Sequence, residues 1–184
     1  MPKRLEQKKV VLDACCTLNL SATGRLEQIL RELPFEFLIG RRARTEAQWL
    51  ENPDSEEREV VTLDPCFAEG LLSEVSLCGE AEEAIFVVLS ACMHDGEAEA
   101  AAVAASRGWA FATDDRKARR MLGKMHPTLR LSTTQELLFH WYRDAHPSDA
   151  EVAEALRRIE ERATYRPPRA DPLTRWWNDF TLSR

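Results

Sequence analysis

Trp109-Ala-Phe-Ala-Thr-Asp-Asp-Arg-Lys-Ala-Arg-Arg120 is the stretch whose reading decides the fold of this chain. Large apolar side chains suit a pleated, half-buried surface, so Trp109 to Thr113 is predicted to be a short buried strand. Asp114 and Asp115 are poor strand residues and good helix starters, which makes the basic run from Arg116 a helix. Ligands in α/β folds bind beyond the carboxyl ends of parallel strands, so a strand that stops at acid is a place for chemistry. The plainer reading is that Asp114 caps the next helix and Asp115 favours its dipole. What else the chain brings to that strand end decides between the two.

Lys8-Lys-Val-Val-Leu-Asp13 is another strand that ends in an aspartate. Thr17 to Leu33 carries Leu18, Leu26, Ile29, Leu30 and Leu33 at helical spacing, with Gly24 as a break and Pro34 as a stop. Phe35 to Ile39 is a strand, and Arg41 to Leu50 a helix holding Glu46. Pro53-Asp-Ser-Glu-Glu-Arg-Glu59 is a charged loop before an edge strand, Val60 to Leu63. Cys66 to Leu77 and Glu80 to Met93 read as helices separated by Gly79. The second is expected to bury Ile85, Phe86, Val88, Leu89 and Cys92 and to expose Glu80, Glu82 and Glu83. Glu97 to Arg107 is an alanine-rich helix with Gly108 as its C-cap. The basic helix runs to Met125, and Leu129 to Leu131 and Thr134 to Tyr142 complete the alternation.

Alternating strands and helices predict an α/β fold, a three-layer α/β/α sandwich around a central, mainly parallel sheet, over residues 8–145. Residues 146–184 read as a helical and aromatic C-terminal extension. Ser148 or Asp149 caps a helix to Ala163 with Val152, Leu156 and Ile159 as its seam. An extended Pro167 to Pro172 follows, then an aromatic end at Leu173 to Phe180. Trp176 and Trp177 are expected to dock on the domain or a partner rather than to stack on bases.

The chain has 184 residues, 44% hydrophobic and 30% charged, enough for one core with appended structure. No apolar run reaches the ~18 to 20 residues that cross a bilayer, and the N-terminus lacks a signal-peptide pattern. No membrane association and a cytoplasmic location are expected. Cys15, Cys16, Cys66, Cys78 and Cys92 are odd in number, scattered and without a CxxC, which predicts reduced core thiols. His94, His126, His140 and His146 show no metal-ligand spacing. A net charge of −6 argues against nucleic-acid binding over the whole surface, and leaves room for a local basic patch.

In a parallel sheet Asp13 and Asp114/Asp115 emerge at one carboxyl edge. The helix that feeds the Trp109 strand starts at the same edge, bringing Asp95, Glu97 and Glu99. Glu46 reaches the edge from the helix after the second strand. Carboxylates this close repel and call for raised pKa values or a cation between them. An all-carboxylate donor set suits Mg²⁺ or Mn²⁺ rather than zinc. Such a site can orient and deprotonate a water and stabilise charge on a phosphodiester.

These residues resemble the PIN-domain nuclease family. Val10-Val-Leu-Asp-Ala-Cys-Cys-Thr-Leu-Asn-Leu20 is similar to its first strand, and Arg44-Thr-Glu-Ala47 to the helix that supplies its glutamate. Asp95-Gly-Glu-Ala-Glu99 and Ala112-Thr-Asp-Asp-Arg116 resemble its third and fourth acidic segments, as written in a toxin–antitoxin-like subgroup. The resemblance implies Asp13, Glu46, Glu97 and Asp115 as catalytic acids, with Asp13, Glu97 and Asp115 as metal ligands. Asp114 is the alternate ligand for the last and Glu99 for the third, while Thr113 supports the last carboxylate and a water. It further implies a PIN-like metal-dependent ribonuclease, the toxin of a pair. The partners are single-stranded or loop RNA, a small antitoxin protein and, in a homodimer, a second copy. One departure stands out: Ala14-Cys15-Cys16 replaces the small polar residue that often follows the first aspartate, unless Thr17 substitutes.

Arg41, Arg42 and Arg44 beside Glu46, and Arg116, Lys117, Arg119, Arg120 and Lys124 after Asp115, form two basic clusters flanking the acidic edge. Arg41, Arg44, Arg116 and Arg119 are the expected phosphate contacts; the rival reading is a pair of solvated helix faces. Two other functions compete. One is a catalytically weak or inert PIN-like interaction module, which the altered turn after Asp13 favours. The other, an aspartate-nucleophile phosphatase, needs a second aspartate two positions after the first, where this chain has Cys15.

Overall fold

The computed structural model describes residues 7–52 and 57–182. Strand β1 (Lys9–Leu12) runs into helix α1 (Ala14–Ala22), and Gly24, at φ +70°, turns the chain into α2 (Leu26–Glu32). Next come β2 (Glu36–Gly40), α3 (Arg41–Glu46), β3 (Trp49–Glu51), β4 (Arg58–Val60), α4 (Asp64–Ala68) and β5 (Leu72–Val75). Helices α5 (Glu80–Ser90) and α6 (Asp95–Arg107) then lead to β6 (Ala110–Ala112). The chain ends with α7 (Arg116–Met125), β7 (Arg130–Ser132), α8 (Thr134–Ala145), α9 (Asp149–Arg162) and α10 (Thr174–Thr181).

The central sheet has five strands in the order β5-β2-β1-β6-β7, all parallel. Val10, Val11 and Leu12 in its middle strand are fully buried, the continuous apolar run of a strand covered on both faces. Successive side chains point to opposite faces. Val10, Leu12, Phe37, Ile39, Ala110 and Ala112 join a core with α1, α2, α8 and α9. Val11, Leu38 and Phe111 join another with α5, α6 and α7. Helix α6 buries Ala98, Ala100, Ala101, Ala102 and Ala104 against the sheet, α3 and α5. Side chains this small let the helix axis lie close, which holds its acidic first turn against the strand ends. Gly108, left-handed at φ +66°, closes the helix as its residue type demands.

The structure corrects five expectations. Leu72 to Val75, expected inside a helix from Cys66 to Leu77, is the edge strand β5; the helix there is only Asp64–Ala68. Pairing with β2 overrides local propensity, and a four-residue edge strand with two exposed centres leaves little alternation to read. Helix α3 stops at Glu46 instead of Leu50, because Trp49–Glu51 pairs antiparallel with Arg58–Val60. Of the edge strand expected at Val60 to Leu63 only Val60 is in a strand, and that strand belongs to a separate two-stranded sheet. On α5 Glu82 is buried while Val88 is exposed, and Cys92, beyond the end of the helix, is exposed as well. The Arg107 guanidinium bonds Glu82 at 2.6 and 2.9 Å and holds its carboxyl below the usual range, so this acid can face inward. The cysteines are all free, but Cys78 and Cys92 lie at the surface rather than in the core.

Residues after 145 share the first core: Val152, Ala155, Leu156, Ile159 and Trp177 are buried in it. Ser148 and Glu151 form a capping box at the start of α9. Trp177 donates its indole N–H to Glu160 at 2.8 Å, and Trp176 packs edge-on against Phe139, so the aromatic end docks on its own chain. Of the charged loop expected from Pro53, residues 53–56 lie outside the described residues. No helix among the described residues is long and apolar enough to cross a membrane.

Candidate functional site

The parallel register sets Leu12 beside Ala112, so the next residues, Asp13 and Thr113, leave the sheet side by side. The backbone N–H of Asp13 bonds Ala112 O at 3.0 Å, and that of Thr113 bonds Ser132 O at 3.0 Å. Asp13 is buried. Its Oδ1 accepts the N–H of Ala14 at 2.7 Å and caps α1; its Oδ2 accepts the Cys15 thiol at 2.8 Å. Burial pushes the Asp13 carboxyl above its ordinary range, and Asp114 adds to the effect.

The Thr113 hydroxyl, itself buried, lies 3.2 Å from Asp13 Oδ2 and 3.1 Å from Glu97 Oε1, and accepts the N–H of Asp115 at 3.2 Å. A hydroxyl has one hydrogen to donate. The Cys15 thiol supplies a hydrogen to Asp13 Oδ2, which leaves that of Thr113 for Glu97; a proton or a cation between the two carboxylates would relieve their repulsion. Glu97, in the first turn of α6, is buried, and its carboxyl is pushed up to about 7 by that burial and by Asp13, Asp115 and Glu46. The charge of Glu46 is felt from the mouth of the site, and its own carboxyl is raised by burial and then by Asp13.

Glu97 thus senses Asp13, Asp115 and Glu46 from three other segments, and Glu46 senses Asp13, but among the described residues no three of these carboxylates bring an oxygen each within 4.8 Å of one another. Two neighbours set the position of Glu46. The Gly96 backbone leaves space that a Cβ would take, 2.6 Å from Glu46 Oε1. Glu99 is buried and its Oε2 accepts the Arg42 N–H at 3.2 Å, which anchors the start of α3 rather than placing Glu99 among the four acids.

The two adjacent aspartates divide their duties differently from the plainer sequence reading. Asp115, not Asp114, is the helix cap: its Oδ1 accepts the N–H groups of Lys117 at 2.6 Å and Ala118 at 3.0 Å. Asp114 accepts from Asn19 Nδ2 at 2.8 Å, Thr134 N at 2.9 Å and Tyr165 OH at 3.1 Å, and also from the Thr134 hydroxyl. Tyr165 bonds Gln135 as well. Asp114 therefore ties α1, α8 and the segment after α9 to the end of β6. Asn19, Thr134 and Tyr165 went unread in the sequence. Thr134 had a signal, since β7 pairs parallel to β6 and must deliver its next residues to the same edge.

Of the expected phosphate contacts, Arg41 and Arg44 are turned to Glu74 at 3.3 and 3.0 Å, and together they hold its carboxyl low. Arg44 also stacks on Phe67 with its guanidinium 4.2 Å from the ring centroid. Arg116, Lys117 and Arg120 line an open pocket with Asp115. Arg119 is half-buried with its Nε enclosed, and its charge acts on Tyr165 and Glu136. The basic side chains beside Asp115 thus stand in the open, while Arg41 and Arg44 are paired with Glu74.

No protein-family model matches this chain, and no curated protein matches it. The geometry of its own residues carries the functional argument.

Proposed function

We propose that the chain is a PIN-like α/β/α nuclease that hydrolyses RNA phosphodiester bonds with Mg²⁺ or Mn²⁺. The observation that carries this reading is the single Thr113 hydroxyl facing both Asp13 and Glu97, with Glu46 and Asp115 acting on the same pocket. The donors are all carboxylate oxygens and the protonation of Glu97 is unsettled near neutrality, which fits a hard divalent cation. Asp13, Glu97 and Asp115 would hold the ion, and Glu46 would ligate it or orient a water. When bound, the ion supplies charge stabilisation at the phosphoryl oxygens. Thr113 keeps the two innermost carboxylates apart, and Gly96 gives Glu46 its place at the mouth. Arg116, Lys117 and Arg120 attract the backbone of single-stranded or looped RNA. The resemblance adds the setting of a cytoplasmic toxin held by a small antitoxin, whose arginine would enter the acidic pocket. The test is cleavage of mixed RNA substrates with Mn²⁺: activity that survives Asp13→Asn with Asp115→Asn would sink the assignment.

A second reading, an inert PIN-like interaction module, is favoured by one specific observation: Arg41 and Arg44 are occupied by Glu74. Absence of any Mn²⁺-dependent rise in melting temperature would support it, since a ligand of the native state must stabilise that state.

A further inference from the structure

The turn after Asp13 carries two adjacent thiols that hard-metal chemistry does not use. Cys15 is half-buried and Cys16 is buried. The sulfur of each, with one oxygen of Asp114, forms a group whose donor atoms all lie within 4.8 Å of one another. Each thiol faces a carboxylate: Cys15 Sγ stands 2.8 Å from Asp13 Oδ2, and Cys16 Sγ stands 3.5 Å from Asp114 Oδ2. Two thiols and one carboxylate therefore form the group, and Asp13 adjoins it through Cys15.

From this grouping we infer that Cys15, Cys16 and Asp114 form a site for one thiophilic divalent cation, Zn²⁺ or Cd²⁺, with Asp13 completing a four-coordinate set. With Zn–S bonds of ~2.3 Å, tetrahedral geometry puts two sulfurs roughly 3.8 Å apart. Cys15, Cys16 and Asp114, already within 4.8 Å, need to close by only about 1 Å, and Asp13, which lies outside that group, swings in from its contact with Cys15. Thiolate donors select such ions over Mg²⁺ and Mn²⁺. The carboxylate of Asp114 is already oriented by Asn19, Thr134 and Tyr165, the outer-layer hydrogen bonding that fixes a ligand before the ion arrives. Two S–H protons leave to solvent as the ion enters, and the half-buried Cys15 gives it a way in. Because Asp13 belongs to both donor sets, occupancy by zinc takes this carboxylate from the acidic pocket. That consequence, and only that one, rests on the nuclease reading.

The test uses the full chain with Cys78→Ser and Cys92→Ser, which removes the surface thiols, in a thiol-free reductant without Mg²⁺ or Mn²⁺. Titration with Cd²⁺ is expected to raise a sulfur-to-metal charge-transfer band in the ultraviolet that saturates at one equivalent. Cys15→Ser should roughly halve its intensity, and Cys15→Ser with Cys16→Ala should abolish it. Zn²⁺ should raise the melting temperature of the parent and leave that of Cys15→Ser, a half-buried change that spares the core, unmoved. No band at one equivalent, or a band undiminished in the double variant, overturns the site. Binding is read without RNA, so an inactive protein can still show it, and an active protein without the band leaves the nuclease reading standing. In the Mn²⁺-dependent cleavage assay, one equivalent of Zn²⁺ should inhibit the parent and spare Cys15→Ser; equal inhibition of both refutes the sharing of Asp13.

Discussion

Glu46 rests its carboxylate on the backbone of Gly96, so closely that a Cβ there would stand 2.6 Å from Oε1 and 2.9 Å from Oε2. The glycine is needed for space rather than for backbone freedom. Gly96→Ala would push the end of a flexible side chain away from the pocket while leaving the first turn of α6 helical. Its folding stability is expected to stay within about 1 kcal/mol of wild type, since alanine favours helix. Mn²⁺ affinity and cleavage should fall roughly tenfold, on the order of 1.4 kcal/mol. Isothermal titration with Mn²⁺ checks this, and unchanged affinity would remove Glu46 from the site.

The neighbouring aspartates are expected to separate by substitution. Asparagine caps a helix about as well as aspartate, so Asp115→Asn should retain stability and lose metal-dependent activity. Asp114→Asn replaces an acceptor of several donors with a group that brings N–H donors of its own. It should cost on the order of 2 kcal/mol or more, and Tyr165→Phe about 1 kcal/mol. Urea denaturation of the three variants gives the comparison; a larger loss in Asp115→Asn than in Asp114→Asn would contradict the geometry.

Without added metal, stability is expected to fall as pH rises from about 4.5 to 7. Asp13, Glu46 and Glu97 all bind protons more tightly folded than unfolded, Glu97 with its value raised from 4.5 to about 7. The native state holds the extra protons in that window, so their contribution is complete below the unfolded value and is lost through the folded one. Glu97 alone accounts for on the order of 3 kcal/mol, at about 1.4 kcal/mol per pK unit. Glu74 and Glu82, held low by arginines, oppose the decline near pH 4.5, where the unfolded carboxyls still bind protons, and add little slope above about pH 6. Melting curves in chelator from pH 5 to 8 should show the decline in wild type and a flatter profile in Glu97→Gln. Saturating Mn²⁺ should recover the loss at neutral pH.

The two basic clusters should differ in their effect on RNA. Arg116→Ala and Arg120→Ala, beside Asp115 in an open pocket, are each expected to lower the salt slope of binding by roughly 0.7, the single-strand value for one lost phosphate contact. Arg41→Ala should change it far less, because that guanidinium is paired with Glu74. Filter binding across salt concentrations decides it; equal slopes for all three variants would dissolve the distinction.

Removal of residues 146–184 is expected to leave a chain that does not fold. Trp177 and Ile159 are fully buried in the same core as Val10 and Leu12, and Tyr165 bonds Asp114. Trp177→Ala alone should cost about 3 to 5 kcal/mol. Circular dichroism of the truncated chain is the check, and a cooperative melt would show that the first 145 residues stand alone.

The strand-then-acid stretches at Val10 to Asp13 and Trp109 to Asp115 were readable because each combines strong local preferences, a buried apolar run and then residues that refuse a strand. Once the sheet is parallel, chain direction alone sends Asp13, Glu97 and Asp115 to one edge, where Asp13 and Glu97 share the Thr113 hydroxyl. Strand β5 did not, because an edge strand of four residues has weaker preferences than the pairing that creates it. Nor did the division of labour between Asp114 and Asp115. Neighbours in sequence differ only by which way each side chain leaves the backbone, and that is set by the end of β6. There the amides of α7 meet one aspartate, while Asn19, Thr134 and Tyr165, distant in the chain, meet the other. Sequence determined which acids gather; packing between remote segments decided which of them caps a helix, which ties the fold together, and which thiols stand beside them.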